Sequence, residues 1–214
     1  MDKANIVIIP GLNCSIDIWK TTNSNQESVY SYLKKKYNVI DLEIPISKFK
    51  LQIDELLKYM NESIPNNSFI ISNSYGSVSS LLFTNKYSSK IKGLLFIDPT
   101  TTVENYRFKD IVDIDVRNNL YNFLQVTESF KYLKCPIISH CIIPFKKLMN
   151  PDKAFTDISA FSKLNKRFMY LQLLSNNPQS SIIIHPNRSH FIQQNECNKI
   201  KVSIDTLING VNLK

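Results

Sequence analysis

Residues Ser68 to Ser80, SFIISNSYGSVSS, constrain the fold more than any other stretch, because an apolar run passes into a helical pattern within very few residues. Phe69-Ile70-Ile71 has the partly β-branched character of a central parallel strand, and the apolar pattern resumes from Val78 to Leu82 as a helix. Between them stands Ser74. A serine on so short a strand-to-helix turn has its hydroxyl pushed out of the sheet, with neighbouring backbone N–H groups aimed at an incoming substrate. Small residues must flank such a turn, and Gly76 supplies one of them. Ser72 stands where the pattern G-x-S-x-G has its first glycine. Taken alone, the motif also fits a serine in a polar loop.

Two further stretches bear on that choice. Asn5 to Ile9, NIVII, reads as a strand stopped by Pro10-Gly11, and Trp19 follows several residues on. Near the other end, Ser181 to Ile184 reads as an apolar strand, His185 to Ser189 as a loop, and His190-Phe191-Ile192 as the entry to a helix that ends near Gly210. Each has an ordinary reading, as a strand exit and a loop histidine.

Together the three stretches resemble the α/β-hydrolase superfamily over nearly the whole chain, in the manner of a small, cap-poor serine esterase. SNSYGS looks like a nucleophile elbow, PGLNCSIDIW like the oxyanion loop with Pro10 in place of the usual histidine, and SHFIQQNE like the histidine loop. The resemblance implies Ser74 as nucleophile, His190 as base, and the backbone N–H groups of Leu12 and Tyr75 as the oxyanion hole.

Composition fits this picture. A chain of 214 residues suffices for one α/β domain with a single sizeable core, so residues 1–214 are expected to form one unit. Glycine is scarce. Of the four, Gly11 and Gly76 fall at the two turns where such a site needs unhindered backbone. The formal charge of +8 raises the question of nucleic acid or anionic membrane. Its basic residues are scattered, however: Lys34 to Lys36, Lys146-Lys147 and Lys166-Arg167 are short runs without interleaved aromatics, which reads as solvated surface. Cys14, Cys135, Cys141 and Cys197 show neither C-x-x-C spacing nor clustering with the three histidines, so free thiols and no metal are expected. The N-terminus reads as lacking a cleavable leader, and no segment is long enough to span a membrane. The expectation is a cytoplasmic protein with a small-molecule acyl substrate, no cofactor and no nucleic-acid partner. Oligomeric state is not legible.

Along the chain, Asn25 to Lys36 reads as a helix, Tyr37 to Ile44 as a strand, and Phe49 to Met60 as a helix leading into the elbow strand. Gly93 to Ile97 is another strand, ending in Asp98-Pro99. Cys135 to Ile138 begins the next, and Ile158 to Leu174 reads as a helix. Strands alternating with helices imply a predominantly parallel sheet covered on both faces, with ligands at the carboxyl ends of the strands. Residues 100–134 suggest one or two helices, either a minimal helical lid or plain connecting helices.

Three histidines compete for the role of base. His190 is favoured because its loop leaves the last strand at the catalytic edge; His185 is the rival, read as a strand-end residue, and His140 reads as an interior histidine. The acid departs from the family pattern, since HCIIPFKKLMN after the Cys-Pro strand holds no carboxylate. Asp98, at the tip of the strand after the elbow, is favoured over Asp152 and Asp157, although it also fits a turn residue.

The chemistry these residues imply is two-step acyl transfer from a carboxylic ester or thioester through an acyl-enzyme. The same residues serve an acyltransferase, and the same fold serves a ligand-binding or regulatory protein that turns over slowly or not at all.

Overall fold

The computed structural model describes residues 3–23, 25–100, 108, 110–130, 133–143, 180–186 and 189–212. Six parallel strands form one sheet in the order β2-β1-β3-β4-β5-β6. The strands are β1 (Asn5–Ile9), β2 (Asn38–Asp41), β3 (Ser68–Asn73), β4 (Ile91–Ile97), β5 (Ile137–Ile143) and β6 (Ser181–Pro186). Each strand's apolar run divides its side chains between two buried faces. Val7, Ile9, Ile70, Leu94 and Phe96 pack to one side, whereas Ile6, Ile8, Phe69, Ile71, Leu95 and Ile97 pack to the other. A strand buried on both sides needs apolar residues at every position, which is why these segments show no alternation.

Helices α3 (Ile53–Ser63), α4 (Gly76–Lys86) and α5 (Ile114–Glu128) cover the first face, through side chains such as Leu56, Met60, Leu81, Leu82, Leu120 and Phe123. Helices α2 (Val29–Lys36) and α7 (Cys197–Asn212) cover the second with Val29, Leu33, Ile200, Ile204 and Leu207, joined by Trp19 from the short α1 (Asp17–Lys20). A four-residue helix, α6 (Ile192–Asn195), precedes α7.

Local chemistry moved several boundaries. The helix expected from Asn25 begins at Val29, because the Ser28 hydroxyl caps it by accepting from Ser31 N. The strand expected over 37–44 is only Asn38–Asp41. The helical period read from Phe49 spans two elements, a 3₁₀ turn over Ile46–Lys50 and α3. The break falls at Gln52, which starts α3 with a capping box in which the Glu55 carboxylate accepts from Gln52 N. His185, read as following the last strand, lies within β6. The helix expected over 158–174 lies outside the described residues.

The region 100–134 holds α5, which buries Val116, Leu120, Phe123 and Leu124 in the core beside α4. It is tied there by Tyr75 Oη donating to Leu120 O at 3.0 Å and Asn119 Nδ2 donating to Phe49 O at 2.9 Å. Among the described residues, no helix is long and apolar enough to cross a membrane. Among the described residues, which include all four cysteines, no disulfide is formed.

Candidate active site

The sheet order reverses between β1 and β3, so the carboxyl ends of these two strands border the crevice where open α/β sheets bind ligands. From β1 come Gly11 and Leu12; from β3 comes Ser74. Ser74 has φ of 50°, a left-handed conformation that a non-glycine residue adopts at a cost of roughly 1–3 kcal/mol. The turn is held by Ser74 N donating to Ile97 O at 3.0 Å and by Ser77 Oγ donating to Ser74 O at 2.6 Å.

The glycines of the two loops serve close approach. A Cβ at Gly76 would lie 2.4 Å from Ile9 O and 2.7 Å from Pro10 O, and one at Gly11 would lie 2.9 Å from Ser74 Cβ. The helix following the elbow therefore begins against the backbone of the β1 loop. Ser72, in the first-glycine position of the motif, is wholly buried, and its Oγ accepts from Ser80 Oγ at 3.1 Å. Ser80 also donates to Gly76 O at 2.7 Å, within the bifurcated reach of one hydroxyl. A hydroxyl on the facing helix thus satisfies the polar atom that the missing glycine leaves behind.

Asn73, immediately before the serine, orders the opposite loop. Its Oδ1 accepts from Gly11 N at 3.0 Å, and the side chain is fully buried. With the Gly11 N–H so engaged, the next N–H along the loop is that of Leu12. Among the described residues, the N–H groups of Leu12 and Tyr75 meet no acceptor. The Tyr75 ring points the other way, into the core, edge-on to Phe49 at 5.5 Å and to Phe108 at 5.4 Å. Burial raises its phenol well above the ordinary value, so the hydroxyl stays protonated as a donor.

Asp98 repeats the geometry of Ser74 one strand over, with φ of 45°. Its N–H donates to His140 O at 2.7 Å and its Oδ1 accepts from Ile142 N at 3.3 Å, so β5 seats both the backbone and the carboxylate. The other oxygen, Oδ2, lies 2.5 Å from His190 Nδ1. Asp98 is 5 % exposed at its side chain and His190 is 30 % exposed, giving a sheltered carboxylate behind an accessible ring.

The structure therefore brings Asp98 and His190 into contact, and places Ser74 and His190 on the wall of one cavity of about 360 Å³. Leu12, Phe108 and Ile111 supply its apolar side, and Thr100, Asn13, Cys14 and Asp110 also line it. Ser74 Oγ meets Thr100 Oγ1 at 3.3 Å. His185 is apart from this cavity. It is buried on β6, with Nε2 2.8 Å from His140 Nδ1, while His140 Nε2 lies 2.9 Å from Ser203 Oγ. Asp152 and Asp157 lie outside the described residues.

Asn73 and Thr100 were not singled out by sequence. Asn73 sits at an unspecified position of the elbow motif, and Thr100 belongs to no motif. Only the register that sets β4 beside β3 brings Thr100 to the serine.

No family model and no curated protein sequence matches the chain. Solved structures do. A hydrolase from Oleispira antarctica superposes with a TM-score of 0.62 at 10 % identity, over 100 % of this chain and 93 % of its own. A carboxylesterase from Bacillus subtilis gives 0.62 at 10 % identity, over 98 % and 85 %. An epoxide hydrolase gives 0.63 at 10 % identity, over 98 % and 93 %. The chain has the α/β-hydrolase fold, as its resemblance implied. Neighbours acting on different bonds share that fold, so the chemistry has to be argued from the side chains.

Proposed function

We propose that the protein is a serine hydrolase that cleaves a carboxylic ester or thioester through an acyl-enzyme. The observation that carries this reading is the 2.5 Å contact of His190 Nδ1 with a buried Asp98 carboxylate, made on the wall of the cavity that also holds Ser74. A carboxylate on Nδ1 fixes the tautomer with Nε2 free to accept a proton, and stabilises the imidazolium that results.

In the first half-reaction Ser74 Oγ attacks the acyl carbon as its proton passes to His190 Nε2. The tetrahedral oxyanion is received by the N–H groups of Leu12 and Tyr75, which stand ready without having to break another bond. Collapse expels the alcohol or thiol, which takes the proton from His190. Water then attacks the acyl-enzyme, giving its proton to His190; the C–Oγ bond breaks, Ser74 recovers the proton, and the carboxylic acid leaves. The apolar wall of Leu12, Phe108 and Ile111 suits an acyl group. In this reading Phe108, Asp110 and Ile111, which precede α5 in the chain, wall the cavity.

A fluorophosphonate probe and p-nitrophenyl ester turnover test the proposal together. Wild-type protein is expected to label once and to turn over the ester, and Ser74→Ala is expected to lose both while melting normally. Labelling retained in Ser74→Ala removes the serine from its role. Labelling without turnover favours a binder, or a transferase deprived of its acceptor.

A further inference from the structure

We infer that Thr100 is a catalytic residue, donating a hydrogen bond from Oγ1 to Ser74 Oγ while the C–Oγ bond is made and broken. The inference rests on Ser74 being the nucleophile. Thr100 lies two residues beyond Asp98, is 3 % exposed, and faces the cavity with its Oγ1 3.3 Å from Ser74 Oγ. Its own N–H donates to Ser74 O at 3.2 Å, so its backbone is fixed to the same residue that its side chain meets. The tip of β4 thus carries two functions on opposite sides of Pro99: a carboxylate turned to His190 and a hydroxyl turned to Ser74.

Proton accounting decides the direction of the bond. In the resting protein either hydroxyl can donate, and 3.3 Å is long for a hydroxyl pair, so Ser74 is free to give its proton to His190 instead. Once Oγ is acylated it has no proton. The only hydrogen bond the pair can then make is from Thr100 to Oγ. An ester oxygen accepts weakly, but negative charge grows on Oγ as the tetrahedral intermediate of deacylation collapses and the C–Oγ bond breaks. The bond from Thr100 strengthens at that moment, which is the condition for lowering a barrier in preference to tightening ground-state binding. Attack passes through the same charge distribution in reverse. Thr100 keeps its proton throughout; the proton that restores the Ser74 hydroxyl comes from His190.

Thr100→Val keeps the side-chain shape and the backbone bond and removes only the donor. One net hydrogen bond of about 1–1.5 kcal/mol corresponds to about a tenfold rate effect. Fluorophosphonate labelling and kcat are each expected to fall about tenfold in Thr100→Val, with KM within about twofold, and Thr100→Ser is expected to restore most of the loss. Labelling and turnover within about twofold of wild type in Thr100→Val overturn the inference. So does a loss in Thr100→Ser as large as in Thr100→Val, because the methyl and its packing would then be the cause. Ser74→Ala, run beside them, separates the two failures: persistent labelling there removes the nucleophile itself, whereas wild-type behaviour of Thr100→Val with a dead Ser74→Ala removes only the threonine.

Discussion

Two imidazole hydrogen bonds stand close together at the β4–β6 side of the sheet, and they differ in everything that decides chemistry. His190 meets a carboxylate and opens onto a cavity. His140 meets another imidazole and a serine, fully buried. In the proposed mechanism the first ring is the one that carries a proton, with the Asp98 carboxylate held against its Nδ1. The second environment opposes protonation. Burial, aided by the charges that His185 and Lys199 would set nearby, lowers His140 to about 3. Yet the second pair is not remote from the first, because the His140 carbonyl receives the Asp98 N–H and the neighbouring Ile142 N–H holds the Asp98 carboxylate. The dry pair of imidazoles thus includes a residue of β5, the strand that seats Asp98.

The comparison breaks most sharply through the histidines themselves. His190→Ala is expected to lower ester turnover by about 10⁴-fold or more, as removal of a triad member does, with an unchanged melting profile. His185→Ala is expected to lower the melting temperature and to leave most of the turnover of whatever fraction is folded. The reverse ranking would transfer the base to β6.

Next comes the acid. Asp98→Asn is expected to cost up to about 10⁴ in turnover, because a neutral amide neither fixes the His190 tautomer nor balances its charge. Asp152→Asn and Asp157→Asn are expected to stay near wild type. A damaging effect of either, with a mild Asp98→Asn, would assign the acid elsewhere while leaving Ser74 and His190 in place.

The smallest effect is on stability and concerns the dry pair. Unfolded, His140 takes up a proton near its ordinary value of 6.5; folded, it stays neutral down to about 3. Between those values the unfolded chain holds the extra proton, so this contribution to stability is full above pH 6.5 and is lost as pH falls towards about 3. The slope reaches about 1.4 kcal/mol per pH unit. Urea midpoints measured from pH 6.5 to 4.5 are expected to fall more steeply in wild type than in His140→Gln. Equal slopes would show that the buried pair is charged in the folded protein.

Sequence by itself determined the strand-and-helix alternation, the covered parallel sheet, and the elbow. These are written in local pattern: continuous apolar runs, a short turn flanked by small residues, and glycines where backbones touch. The capping of α2 and α3 shifted boundaries by a few residues, since a hydroxyl or carboxylate sets where a helix starts and periodicity does not register it. Tertiary structure alone decided the contacts that cross between strands. It set Asp98 against His190, 92 positions away in the chain, and turned His185 away from the cavity. It gave Gly11 N to Asn73 and brought the Thr100 hydroxyl to Ser74. In sequence Asp98, favoured as the acid, also fits a turn residue, and Thr100 belongs to no motif, because nothing local distinguishes a polar group that ends a strand from one that faces a partner. The distinction comes from strand order and register: β4 lies between β3 and β5, so its tip must face the serine on one side and the strand that seats the acid on the other.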